Sequence, residues 1–185
     1  MALGAALGAG ACNKAKTPEQ AQDRLCQAVA AGDPAALFEA LDTQTRWDWM
    51  TVQKSHREAY DIILSNYPEG AERDRELRRF ERGATLGSGR ALFAEEAGRA
   101  ALGEARLREV CAPGAQLERG PDDHHAAIVA ASGARAPLLL GPKATWGYSA
   151  LAEDAEDRRR RALADVDQIR LNAADYERAA TRAAR

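Results

Sequence analysis

Histidine and cysteine, which carry much acid–base, nucleophilic and metal chemistry, occur only three times each in these 185 residues. No two cysteines form a CxxC pair, so neither a zinc ribbon nor a thioredoxin-type redox motif is present. No Ser/His/Asp set with a local signature occurs. The glycine-rich stretch from Gly83 to Arg90 lacks the Lys-Ser/Thr ending of a phosphate loop, and no strand pattern precedes it. The net charge is −2 with 29% charged residues, which excludes a global basic surface for nucleic acid. Lysine is scarce while alanine and arginine are abundant, a composition that reflects a GC-rich genome more than a function. Residues 1–11, MALGAALGAGA, carry no charge. They fall well short of the roughly 20 apolar residues that span a bilayer as a helix.

What is there begins with that opening. Alanine, glycine and leucine run into a small-residue site, Ala9-Gly10-Ala11, followed at once by Cys12. This is the grammar of a signal-peptide apolar region and its cleavage site. The string Ala9-Gly10-Ala11-Cys12 resembles the lipobox of bacterial lipoproteins, and the resemblance implies acylation of the Cys12 thiol, loss of the leader and a lipid-anchored N-terminus. The alternative is a floppy cytosolic N-terminus with a chance cysteine. With Cys12 set aside, Cys26 and Cys111 remain as an even pair. In an oxidising periplasm they form one bridge; otherwise they are two unrelated buried thiols.

Thr17-Pro18-Glu19-Gln20 reads as a helix start with a capping box and proline in the first turn, and Gly32 as its end. Asp33-Pro34 caps a second helix, with Leu37, Phe38 and Leu41 facing inward. Asp42 caps a third, longer helix up to about Tyr67, where Pro68 stops it. Its apolar stripe is Trp49, Val52, His56, Ala59 and Ile63, widened by Tyr60, Leu64 and Tyr67. The charged segment from Glu69 to Arg82 reads as a solvated helix with a narrow apolar edge at Leu77, Phe80 and Ala84. Residues 90–110 read as one further helix, weakened in the middle by Gly98 and Gly103. Short β-prone runs follow at Ala127–Ala131, Ala136–Leu140 and Thr145–Leu151, punctuated by turn signals, with Gln116–Glu118 as a fourth strand. From about Leu151 to the end the pattern is helical, and Ala155, Arg159, Ala162, Val166, Ile169, Ala173, Tyr176 and Ala180 form a heptad-like seam. That seam either receives a partner helix or folds back on its own domain.

The expected fold class is therefore α+β. A helix-rich N-terminal half packs on a small antiparallel sheet of three to four strands, and a long helix closes the chain. The expected organisation is a leader, lipobox and tether over 1–16, an α+β domain over 17–150 and an amphipathic helix over 151–185.

Three features carry a family resemblance: the opening AVAAGDPAALFEALD, the aromatic helix after it, and the late run APLLLGPKATWGYSAL. They look like the corresponding parts of NTF2-like (SnoaL-like, cone-shaped α+β) domains, and the whole resembles lipoproteins of delta-proteobacterial type. The resemblance implies a helix pair that opens the fold and a late strand whose aromatic residue, here Trp146, closes a curved sheet.

Candidate site residues follow. His56 lies on the apolar helix face and, with Trp47, Trp49, Tyr60 and Trp146, is a candidate pocket set; the plainer reading is a core histidine. Asp122-Asp123-His124-His125 has metal-ligand residue types, but adjacent side chains diverge, so a polar turn before a strand is the better reading. Arg158 to Arg161 is preceded by Asp154, Glu156 and Asp157, which points to a solvated helix face. No catalytic residue, metal site or cofactor is expected. The sequence reads as a cell-envelope lipoprotein on the periplasmic side, with a non-catalytic accessory role, a membrane partner through the lipid and a protein partner through the terminal helix. A small-ligand domain or enzyme of the NTF2-like kind is the alternative.

Overall fold

A computed structural model describes residues 14–184. Helix α1 (Pro18–Ala31) starts where Thr17 Oγ1 accepts from Gln20 N–H, and ends at Gly32 in the left-handed conformation. Asp33 caps α2 (Pro34–Ala40) through Ala35 N–H at 2.8 Å. Asp42 caps α3 (Thr43–Asn66) by accepting from Gln44 and Thr45 N–H at 2.9 and 3.1 Å. Each of these starts places a short polar acceptor on otherwise unpaired helix N–H groups. Helix α4 (Ala71–Thr85) follows the Pro68 break and folds back along α3.

The stretch after α4 is broken where one helix was expected. It consists of α5 (Gly89–Phe93), a π-helical turn (Ala94–Gly98), α6 (Arg99–Gly103) and α7 (Ala105–Val110). Residues 89–103 stay helical through the π turn, and Gly98 allows a close approach there, since a Cβ would lie 2.7 Å from Pro34 Cβ and 2.9 Å from Phe93 Cε1. Glu104 then turns extended after Gly103, which separates α6 from α7.

Four strands follow as an antiparallel meander in sequence order: β1 (Gln116–Arg119), β2 (His125–Val129), β3 (Arg135–Gly141) and β4 (Thr145–Tyr148). The register aligns Leu117 with Ile128 and Ala136, and Ala126 with Leu138 and Tyr148. These alternate residues form the face turned to the helices, as the two-residue period of a strand dictates. The free edge of β4 is covered. Trp146 N–H donates to Ala15 O at 2.9 Å, and Asp42 N–H donates to Tyr148 O at 3.0 Å. Gly147 permits the second contact, since a Cβ there would stand 2.5 Å from the Asp42 backbone.

Helix α8 (Ala152–Ala183) closes the fold. The pairings Asp48–Arg159, Glu58–Arg170 and Tyr67–Tyr176 climb together along α3 and α8, so the two helices run parallel, with α4 antiparallel beside them. Two apolar clusters result. The larger joins the sheet face to α1, α2, the start of α3 and the first turns of α8, with Leu25, Leu37, Trp49, Phe93, Ile128 and Leu138 at its centre. The smaller holds Ala59, Ile63, Tyr67, Phe80, Val166, Ile169 and Ala173 between α3, α4 and α8. The heptad-like seam of α8 is thus filled from within the chain, and alanines at 155, 162 and 173 let α8 approach closely. From Glu177 onward the helix is exposed on every side.

Candidate functional site

The N-terminal tether is docked where it enters the body. Ala15 is buried against β4, and Lys16 Nζ donates to Lys143 O at 3.1 Å across the β3–β4 hairpin. That hairpin turns through Lys143 and Ala144, both in the left-handed region with φ of 65° and 51°. Non-glycine residues adopt this conformation at a cost of about 1 kcal/mol or more each, so surrounding contacts hold it in place. Cys12 lies outside the described residues, as does the leader reading of residues 1–11.

Cys26 on α1 and Cys111 just after α7 are bonded to each other, with their Cα atoms 5.1 Å apart. The separation suits a disulfide, whose Cα atoms usually stand about 4.4–6.8 Å apart. The bridge ties the first helix to the segment that leads into the sheet and spans 85 positions of sequence.

The five aromatic and histidine residues proposed for a pocket do not meet. Residues two apart on a helix point about 200° away from each other, so Trp47 and Trp49 take opposite faces of α3. Trp49 is buried, edge-on to Phe93 with centroids 5.5 Å apart, and the Arg158 guanidinium lies 5.0 Å above its ring. Trp47 is 51% exposed. His56 packs edge-on to Phe80 and hard against Gly83. Burial pushes its pKa below the ordinary value, opposed by Glu96 and Asp165 and reinforced by Arg79. Tyr60 packs at the smaller cluster. Trp146 rests half-buried on the larger one. None of the grooves described among residues 14–184 takes in all five.

Trp47 instead lines a groove of about 350 Å³ with Phe38, Arg46, Met50, Lys14 and Lys143. Met50 is also exposed, at 41%. The groove therefore sits at the point where the tether joins the body. Neither Met50 nor the two lysines stood out in the sequence. The available signal was Trp47 itself, an aromatic set on the polar side of an amphipathic helix.

The remaining candidates are engaged in local contacts. His125 Nδ1 stands 2.7 Å from Asp122 Oδ1, and His124 N–H donates to the same carboxylate. The His125 hydrogen bond is the main cause of the lowered Asp122 pKa. This is a closed turn ahead of β2, and among the described residues no group of three or more His, Cys, Asp or Glu is placed to hold a metal ion. Three of the four arginines in the basic run on α8 are paired with carboxylates, and Arg161 Nε donates to the Asp157 carbonyl. Arg158 bridges Asp154 and Glu96, and Arg160 pairs with Asp157.

Arg159 Nε lies 2.9 Å from Asp48 Oδ1, though off the line of a hydrogen bond. Asp48 is buried and accepts from Gln44 Nε2 at 2.9 Å. Desolvation raises its pKa against the pull of Gln44 and Arg159. This ion pair joins α3 to α8 at the edge of the larger core.

No family model, curated protein or solved structure matches the chain. Its functional reading rests on its own residues and geometry.

Proposed function

We propose that this chain is a bacterial lipoprotein, acylated at Cys12, which holds an α+β body at the extracytoplasmic face of a membrane in a non-catalytic accessory role. The observation that carries the reading is the division of labour among three cysteines. Cys26 and Cys111 are bonded to each other. The third, Cys12, directly follows the small-residue string Ala9-Gly10-Ala11. A disulfide that staples a fold together belongs in an oxidising compartment, and a leader ending at a cysteine is the route to that compartment. No helix among the described residues is long and apolar enough to cross a membrane, so a covalent lipid supplies the attachment in this reading. Stable anchoring by lipid takes more than one acyl chain, or one chain plus a second signal.

A small-ligand role of the NTF2-like kind would need Trp47, Trp49, His56, Tyr60 and Trp146 around one cavity. Their dispersal over two cores and the surface favours the accessory reading. The test is metabolic labelling of bacterial cells with an alkyne-bearing palmitate analogue, followed by mass analysis of the mature N-terminus. The expected result is label on the wild type, none on Cys12→Ser, and a mature chain that begins at residue 12. Unlabelled protein with residues 1–11 intact would reject the anchor.

A further inference from the structure

Three of the four lysines in the sequence, Lys14, Lys16 and Lys143, gather at the mouth of the tether. Trp47 and Met50, two of the largest exposed apolar side chains, sit in the same groove. We infer that this face, centred on Lys14, Trp47, Met50 and Lys143, lies against an anionic lipid surface and sets the orientation of the body on the membrane. The inference rests on the proposed acylation of Cys12 and extends it from an attachment point to a docked face.

Charge complementarity commits the groove to this occupant. Lys14, Arg46 and Lys143 line it against one carboxylate, Glu39. That carboxylate is already engaged by Arg46 at 3.5 Å and by Arg90 at 3.9 Å. Among the described residues neither Lys14 nor Lys143 has a carboxylate partner, on a chain whose net charge is −2. The apolar component matches in kind. Tryptophan takes the headgroup level of a bilayer, its ring in the apolar layer and its N–H in the wet one. Lysines beside it are attracted to anionic headgroups within a Debye length.

Chain length places the lipid at the same spot. Lys14 lies two positions after Cys12, and an extended chain covers at most about 7 Å over two positions. An acyl chain on Cys12 therefore enters the bilayer beside this groove. A single lipid gives only marginal binding without a second signal, and a basic patch is the kind of signal that supplies it. The strained Lys143-Ala144 turn fits the same picture, because it holds the Lys143 backbone at the rim of the groove.

The test uses the full chain with Cys12→Ser, which carries no acyl group and so reads the face independently of the anchor. Its binding to phosphatidylcholine vesicles with and without phosphatidylglycerol is measured by co-sedimentation at low salt, alongside tryptophan emission. The expected result is binding only to the anionic vesicles, released by salt. Each lysine neutralised should weaken it about five-fold, and Lys14→Ala with Lys143→Ala together about 30-fold. The emission should shift to the blue, and Trp47→Phe should remove that shift. Because Trp47, Lys14 and Lys143 are exposed, these variants should keep the wild-type melting temperature. Equal binding to both vesicle types, or binding unchanged in the double lysine variant, would overturn the inference. So would a Trp47 emission, taken as the difference between the Cys12→Ser chain and the same chain with Trp47→Phe, that is already blue before lipid is added, as expected if another part of the chain fills the groove. Palmitate labelling without vesicle binding would keep the anchor and discard this face; vesicle binding without labelling would do the reverse.

Discussion

Reducing the Cys26–Cys111 bridge should cost this protein a large part of its stability. The bond closes a loop across 85 positions. Chain-entropy arithmetic for a loop of that length gives about 4.5 kcal/mol at 25 °C, carried mainly by the restricted unfolded state. Measured values fall short of that limit when the reduced chain keeps residual structure, so about 3–4 kcal/mol is expected. For a chain of this size each kcal/mol corresponds to about 2–4 °C, which makes the shift on the order of 10 °C. The side chains add little of their own, because both cysteines are only half-buried and truncation leaves no large cavity. The assay is urea unfolding followed by far-UV circular dichroism, on the Cys12→Ser chain with and without reductant and on Cys26→Ala/Cys111→Ala. Thiol titration of the unreduced Cys12→Ser chain should find no free thiol, and two after reduction. Two reactive thiols before reduction, or a loss below about 1 kcal/mol with the bond demonstrably present, would refute the reasoning.

Four further outcomes are expected. Gly83→Ala places a Cβ 2.1 Å from His56 Nδ1 and 2.7 Å from His56 Cβ. Overpacking of about 1–3 kcal/mol then outweighs a helix-propensity gain of at most about 1 kcal/mol, so urea unfolding should show a net loss that His56→Ala relieves. The partly buried His56 stays neutral in the fold below the pH at which the unfolded chain takes a proton, near its ordinary value of 6.5. Stability should be level above about pH 7 and fall as the pH drops through 6.5, and His56→Gln should flatten that slope in unfolding midpoints measured against pH. Arg159→Met strands the Asp48 carboxylate and should cost about 2 kcal/mol, less than a fully buried pair because Arg159 is partly exposed; Asp48→Asn in the same chain should restore most of it. Ending the chain after Tyr176 should change stability by less than about 0.5 kcal/mol. Ending it after Leu163 removes Val166, Ile169 and Ala173 and should expose α4 to rapid hydrogen exchange.

The fold was legible wherever local chemistry decides it. Thr17, Asp33 and Asp42 cap helices because their side-chain oxygens reach free N–H groups, and this depends on no distant residue. The meander was legible because its turns are short and its period is two. Legibility failed where a distant contact reshaped the chain. In residues 90–110 Gly98 and Gly103 mark the weak middle, and the chain does turn extended right after Gly103, but nothing local announces the π turn or the approach of Gly98 to Pro34. The seam of α8 was visible, but its occupant was not, since a heptad pattern looks the same whether the facing helix belongs to the same chain or another. Trp47 and Trp49 are near neighbours in sequence, and only the turn of the helix shows that they serve opposite sides.

The placement of the covalent and electrostatic features now gives them a common sense. The tether docks on β4 through Ala15, and α1 begins two residues later under the Thr17 cap. One turn short of its end α1 carries no free cysteine but one half of the bridge to Cys111, which leads directly into the sheet. A load applied at residue 12 therefore passes at once into two parts of the larger core, the sheet edge through hydrogen bonds and the α7–β1 junction through a covalent bond. The smaller core, at the far ends of α3 and α4, takes no part in that path. In a chain that diffuses freely, local opening would begin wherever apolar contacts are fewest. In the proposed lipid-anchored protein the end nearest Cys12 must be the more secure, and that is the end where this chain places its only disulfide among the described residues.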